Sequence, residues 1–394
     1  MKKILIIPSW YPTANNEIVG SFFKEQIMLL FKNGIDLRVV YISEKTVSPL
    51  NYYLKYGFKK KLELLPIQQD PVYLEGRLTI RKKLKSKLKI NAFTSAYQQA
   101  FAKITADGWS PDIIHAFSTQ NAGIIAWKLH QKTGIPYYIS EHNPIFFQSR
   151  KAFEKKAFEN AQKTSVVSFH LLRHLLIQEI DANPFTIWNL VDEDTFQIDR
   201  KTSENPFTIT TVSYPQKIKD METFFKAIAA FAKLCDEPFK VIVVGNDNFG
   251  DRHNATTTAI ESLAKTQNAH QYCTFLPYVA RENMAQLLNQ TDVFVSSSIS
   301  ETFGLAAREA MLCGVPVIST KNGGIEDTLT SENGLLVNLR DWNAMAKNIL
   351  KIQKKELVFN PRLLRQILIE QSGKTAFLNN MSSFYNEKND SIKQ

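Results

Sequence analysis

The segment DVFVSSSISETFGLAAREAMLCGVPVIST, residues 292–320, reads as a strand, a loop, a helix and a second strand in direct succession. DVFVSSS is β-branched and aromatic, ISETF carries turn residues, GLAAREAMLC is small and apolar at helical spacing, and Gly314 stops the helix before VPVIST. A strand–helix–strand unit of this kind belongs to a parallel sheet. Two carboxylates sit where packing needs none. Glu301 hangs in the loop at the carboxyl end of the first strand, where open α/β sheets gather ligands. Glu309 lies one to two turns into the helix, whose free N–H groups attract phosphate, and Gly304 lets a ligand approach the backbone closely. The two oxygens of Glu309 can accept from two neighbouring hydroxyls, as on a ribose. The pattern suits a sugar nucleotide: phosphate at the helix start, ribose on Glu309, transferred sugar near Glu301. The plain alternative is a solvated Glu309 and a Glu301 that only complements the helix dipole. Against it, Glu309 is followed by AMLCGVPVI, with hardly a polar side chain to mark a wet face.

The same alternation runs outward in both directions. KKILIIP, SFFKEQIMLLFKNG and IDLRVVYIS form one unit, and DIIHAF, NAGIIAWKLHQKTG, PYYISEH, KTSVVSF and HLLRHLLIQEI continue it. PFTIWNLVDEDTFQIDRKTSENP interrupts it with polar and turn residues and is the expected interdomain link. FTITTVSY, METFFKAIAAFAKL, FKVIVVGN, YCTFLP and ENMAQLLNQ then lead back to residue 292. A chain of 394 residues is too long for one ordinary core. The expectation is α/β: two doubly wound, Rossmann-like domains, 1–190 and 191–373, with a last helix at 374–390 packing back on the first and ligand bound in the cleft.

Composition narrows the class. With 44% hydrophobic and 22% charged residues the chain reads as soluble and globular. Its three cysteines, Cys235, Cys273 and Cys313, are scattered without metal-ligand spacing and read as reduced thiols in a cytoplasmic setting. The start MKKILIIPSWYPT imitates a signal peptide, but Pro8 breaks the apolar run early, so a first strand is expected. No run has the length of a transmembrane helix. The net charge of +10 points to an anionic partner.

Residues 44–90 do not alternate. Seven Lys and Arg fall between Arg77 and Lys89 with no acid among them, and a helical reading puts Ile80, Leu84 and Leu88 on one face. Tyr52, Tyr53, Tyr56 and Phe58 precede them. Aromatic rings beside cations suit the headgroup level of an anionic membrane, and the alternative is a solvated basic face. Nucleic acid is not expected, because the basic run lies outside any recognisable module.

Glu301 and Glu309, with Phe303-Gly304 between them and EAMLCGVPVI after them, resemble the E-x7-E signature of glycosyltransferase family 4. NGLLVN, WNLVDEDTF and PSWYP…GSFFKEQ are similar to further segments of that family, so the resemblance covers nearly the whole chain. It implies a GT-B fold and a retaining, metal-independent hexosyltransferase of the bacterial polysaccharide-biosynthesis type. The donor would be a UDP- or GDP-sugar and the acceptor a hydroxyl of a glycan; the basic, aromatic stretch 44–90 adds the expectation that this glycan is lipid-linked, at the cytoplasmic face of a membrane. No cofactor is expected, since the nucleotide sugar is a substrate. The resemblance assigns the catalytic roles to Glu301, His142 and Lys219. It assigns donor binding to Glu309, Phe303, Gly304, Leu305 and the loop of Gly20, with Lys219 as the phosphate clamp.

Two positions depart from the family pattern. Tyr214 stands where an arginine is usual, leaving Lys217 as a substitute charge without a bidentate fork, and Gly20 stands alone where the family carries a glycine pair. A nucleotide-sugar 2-epimerase on the same fold and a weakly active sugar-nucleotide-binding protein therefore remain open.

Overall fold

The computed structural model describes residues 2–14, 16–57, 61–143, 152–199, 206–213, 216–245, 253–277 and 279–386, the side chains of 253–258 excepted. Phe58 and Tyr214, both singled out above, lie outside the described residues. Two compact units share the chain. The first comprises Met1–Val167, Leu171–Leu190 and Leu378–Gln394, and the second Ser168–His170 and Val191–Phe377.

The first unit contains β1 (Ile4–Pro8), α1 (Ser21–Lys32), β2 (Leu37–Val47), α2 (Pro49–Tyr56), β3 (Lys61–Leu64), β4 (Val72–Arg81), α3 (Ser86–Ile104), β5 (Ile113–Phe117), α4 (Ile124–Thr133), β6 (Tyr137–Glu141), α5 (Ala152–Glu159), β7 (Lys163–Val166), all but the first two residues of α6 (Phe169–Ile177), and β8 (Phe185–Thr186). Its sheet runs β3-β4-β2-β1-β5-β6-β7-β8, parallel throughout except for β3. Strands β1, β5 and β6 are buried along their whole length, because helices cover both faces of a doubly wound sheet. Strand order reverses between β1 and β5, so the loops after these two strands flank the place where such sheets bind ligands.

The second unit repeats the plan with β9 (Phe207–Ser213), α7 (Met221–Ala232), β10 (Phe239–Gly245), α8 (His253–Thr266), β11 (Cys273–Leu276), α9 (Arg281–Asn289), β12 (Val293–Ser296), α10 (Leu305–Leu312), β13 (Val317–Thr320), β14 (Gly334–Val337), α11 (Trp342–Gln353) and α12 (Pro361–Ser372). The order is β11-β10-β9-β12-β13-β14, all parallel. Here the reversal lies between β9 and β12. Phe224, Phe225, Ile228 and Phe231 of α7 pack on Ile209, Val241, Val243, Val293 and Val295 to form the core beneath it. Helix α13 (Lys374–Asn386) closes the chain. Its Phe384 and Tyr385 are buried in the first unit, where the Tyr385 hydroxyl lies 2.8 Å from His115 Nδ1.

One expectation is corrected. Residues 77–90 do not form one basic helix: β4 runs to Arg81, paired with β2 from Arg38↔Val72 to Val47↔Arg81, and α3 begins only at Ser86. Ile80 is therefore a buried strand residue, 5% exposed, and shares no helical face with Leu88. In RLTIR the period-two alternation of Leu78 and Ile80 outweighed the longer spacing to Leu84 and Leu88. No helix among the described residues is long and apolar enough to cross a membrane.

Candidate active site

In the second unit the loops after β9 and β12 stand on either side of the strand-order reversal. After β9, the single turn Lys217–Lys219 precedes α7, and Asp220 takes a left-handed conformation (φ 44°) to start the helix. Ser297, at the end of β12, donates to the carbonyls of Lys219 and Asp220 at 3.0 Å each, and Ile299 N donates to Ile218 O at 2.7 Å. The two loops are thereby bolted together. Lys219 Nζ lies 2.5 Å from Glu301 Oε1, which also accepts from Ser298 Oγ at 2.7 Å. Lys219 and Glu301 are thus brought into one ion pair, whereas Lys217 is exposed on the same turn.

Glu301 is held from below as well. Its backbone N–H donates to Asn322 O at 2.9 Å, and a Cβ placed on Gly324 would lie 2.8 Å from Glu301 Cβ and 2.8 Å from Phe303 N. Only glycine lets the 322–324 backbone come this close. Gly304 (φ 75°) then turns the chain into α10, placing Leu305 at its first turn and leaving the helix N–H groups facing the loop. Phe303 is buried beneath that turn, and its ring is capped by the Arg308 guanidinium at 3.8 Å. Arg308 is fully buried and donates to Gly324 O (3.0 Å) and Thr328 Oγ1 (2.6 Å). Burial lowers its pKa to about 9, with Asp327 opposing, so it stays a cation at neutral pH and acts as a strut.

Glu309, 9% exposed, directs Oε1 at Arg281 Nη2 of α9, 3.1 Å away. Arg281 also lies 5.3 Å over the Phe196 ring. Burial alone would raise the pKa of Asp192, but hydrogen bonds from Thr195 and the Arg281 charge hold it below the ordinary value. Glu309 is therefore neither solvated nor unpartnered. It is an oriented carboxylate inside an electrostatic chain, which a bland helix glutamate would not be.

In the first unit His142 and Gly20 meet through α1. Gly20 (φ 76°) starts that helix with its Cα against the Trp10 carbonyl, which an added Cβ would approach to 2.5 Å. Phe23 of α1 presents its ring edge-on to His142 at 4.7 Å. Burial drives the His142 pKa down to about 3, with the Asn189 side chain opposing, so the ring is neutral at physiological pH. The Asn189 side chain lies beside the ring, although no hydrogen bond of ordinary geometry reaches either ring nitrogen among the described residues. Glu141 fixes its loop. The buried carboxylate accepts from Thr119 N (2.8 Å), His142 N (2.9 Å) and Asn143 N (2.8 Å), joining the ends of β5 and β6. Beside it, Ser118 (φ 69°, ψ 147°) and Asn121 (φ 63°, ψ −68°) hold conformations costly for residues with a Cβ.

Arg281, Ser298, Arg308, Glu141 and the Gly323-Gly324 pair were not reached from sequence. The glycine pair in KNGGIED was a visible signal for close backbone approach, but Arg281 at the start of an ordinary amphipathic helix gave none. Among the described residues no three His, Cys, Asp or Glu side chains are placed to share a metal ion.

Residues 193–374 match the sequence model of the family described as Glycosyl transferases group 1. An N-acetyl-α-D-glucosaminyl L-malate synthase from Bacillus anthracis is 29% identical over 43% of this chain and 44% of its own length. The chain thus spans less than half of that relative. TuaC of Bacillus subtilis, named for teichuronic acid biosynthesis, is 25% identical over 90% of both chains. Among solved structures, Anabaena HepE in complex with UDP-glucose superposes with a TM-score of 0.69, at 17% identity, over 98% of this chain and 100% of its own. Residues 193–374 are a domain of the group 1 glycosyl transferases, on a chain of GT-B fold.

Proposed function

We propose that this chain is a retaining, metal-independent glycosyltransferase that moves a sugar from a UDP- or GDP-sugar to a hydroxyl of a glycan acceptor. We place it in cell-surface polysaccharide or glycoconjugate synthesis, with a lipid-linked acceptor at an anionic membrane. The observation that carries the reading is the Lys219–Glu301 pair at the carboxyl ends of β9 and β12, beside the start of α10. A diphosphate at the N–H groups of α10 would lie within the field of Lys219, and the ribose hydroxyls would bond the Glu309 carboxylate that Arg281 orients. Chemically, the acceptor oxygen bonds to C1 of the sugar as the C1–O bond to phosphate breaks on the same face. The acceptor proton passes to the departing phosphate oxygen, so no side-chain base is required. Negative charge grows on the leaving group, and Lys219 and the α10 dipole stabilise it there more than in the ground state. Neutral His142 offers hydrogen bonds to sugar hydroxyls rather than a proton-transfer group. The HepE complex with UDP-glucose and the naming of TuaC support the donor class and the setting.

A screen of purified protein against common UDP-, GDP-, ADP- and TDP-sugars, with and without glycan acceptors, tests the reading. Release of nucleoside diphosphate from at least one donor, raised by acceptor, is expected. Nucleotide binding without turnover of any donor would leave a binding protein. Conversion of the donor to its 2-epimer without acceptor would make it an epimerase.

A further inference from the structure

Helix α2 turns its Tyr52 face toward the first unit. Pro49 opens it, Ser48 Oγ accepts from Asn51 N at 3.3 Å, and Tyr52, 8% exposed, packs inward against Tyr56 with ring centroids 5.5 Å apart. The opposite face displays Leu50 and Leu54, 69% and 78% exposed and one helical turn apart. Exposed leucines alone are ordinary on a protein surface. What surrounds these is not. Arg81 donates from Nη1 to Tyr53 Oη at 2.9 Å, and Lys55 and Lys61 lie 5.8 and 5.1 Å from the Tyr56 ring centre. The N–H of Lys82 donates to Val47 O at 2.7 Å, bringing the turn with exposed Lys82 and Lys83 alongside the start of α2. Neither residues 45–62 nor residues 76–106 contain an Asp or Glu. The nearest acids are engaged elsewhere: Glu44 with Lys89 at 2.5 Å and Glu75 with Arg77 at 3.3 Å, while Glu63 stands across the β3–β4 ladder from Arg77.

We propose that α2 is the element by which this chain enters an anionic bilayer surface. Leu50 and Leu54 pass below the headgroups, Tyr53 and Tyr56 lie at headgroup depth, and Lys55, Lys61, Arg81, Lys82 and Lys83 meet the lipid phosphates. A bilayer satisfies both halves of this surface together. A nucleic acid would leave the leucines in water, and an apolar protein face would be pressed against five cations. The inference rests on the lipid-linked acceptor proposed above, since such an acceptor is confined to that surface.

Flotation of the full chain with phosphatidylcholine vesicles, with and without phosphatidylglycerol, tests it. The chain is expected to float with the anionic vesicles at low salt and to be released by high salt. Changing Arg81, Lys82 and Lys83 to Gln together is expected to weaken partitioning on the order of a hundred-fold, about five-fold per cation. Leu50→Ser with Leu54→Ser is expected to weaken it at least roughly ten-fold, from the apolar area withdrawn. Leu176→Ser with Ile177→Ser, an exposed apolar pair at the end of α6, serves as control and is expected to change nothing. No flotation at low salt would overturn the proposal. So would indifference to the leucine changes, or a loss found only in the α6 control. Nucleoside diphosphate release, read in parallel, separates the two readings: flotation without any turnover would sink the transfer reaction and leave the membrane element standing.

Discussion

Arg281 determines how much of Glu309 a nucleotide can use. The Arg281 guanidinium, with Nη2 3.1 Å from Glu309 Oε1, orients this largely buried carboxylate. Glu309→Ala is expected to weaken UDP or GDP binding by about 1.5–3 kcal/mol, since the ribose loses a charged acceptor. Arg281→Ala is expected to cost less, and to cost nothing further in the Glu309→Ala background, because it acts through the carboxylate. Calorimetry on the two single variants and the double variant checks this; additive losses would show that Arg281 binds the nucleotide by itself. Arg308, the residue just before Glu309, plays a different part. It faces inward, bonds Gly324 O and Thr328 Oγ1, and supports the turn at Phe303 without reaching a ligand.

Strand β5 and the residue after β6 carry two buried imidazoles. His115 is wedged between Tyr385 of α13 and Ser140 Oγ, each at 2.8 Å, and His142 stands one residue beyond β6. Burial lowers both to about 3 from an ordinary 6.5, with His142 adding to the effect at His115. Between those values the unfolded chain takes up protons that the folded chain refuses. The stability they confer is therefore complete above about pH 6.5 and falls as acid is added, by about 1.4 kcal/mol per pH unit for each ring. Urea denaturation between pH 7 and pH 4 is expected to show this slope, roughly halved in His142→Asn. A slope untouched by that change would mean that His142 titrates normally. Most of these elements were legible in the sequence, because strands buried on both faces read as plain apolar runs and the helices carried clear periodicity and stops. Residues 77–90 were misread where the strand RLTIR passes into the basic turn before α3, since lysines serve a helix face and a loop equally well.

Across the whole molecule, two sheets built on one plan each place their informative loops where strand order reverses. Gly20 and the segment from Ser118 flank β1 and β5, while Lys219 and Glu301 flank β9 and β12. That much follows from alternation, and it is why Glu301, Gly304 and Glu309 could be singled out from residues 292–320 alone. What could not be read was the partnering. Nothing in the spacing says that Lys219 closes on Glu301, that Arg281 reaches Glu309, or that Gly324 lets the two backbones touch, because each contact joins segments far apart in the chain. The account turns on Lys219 as the charge that receives the leaving phosphate. The most direct test is nucleoside diphosphate release from the preferred donor by Lys219→Ala and Lys217→Ala, both checked for folding by circular dichroism. Lys219→Ala is expected to lose turnover on the order of a hundred-fold, while Lys217→Ala, altering an exposed side chain on the same turn, stays within a few-fold. The reverse order, or no loss in either variant, would contradict it.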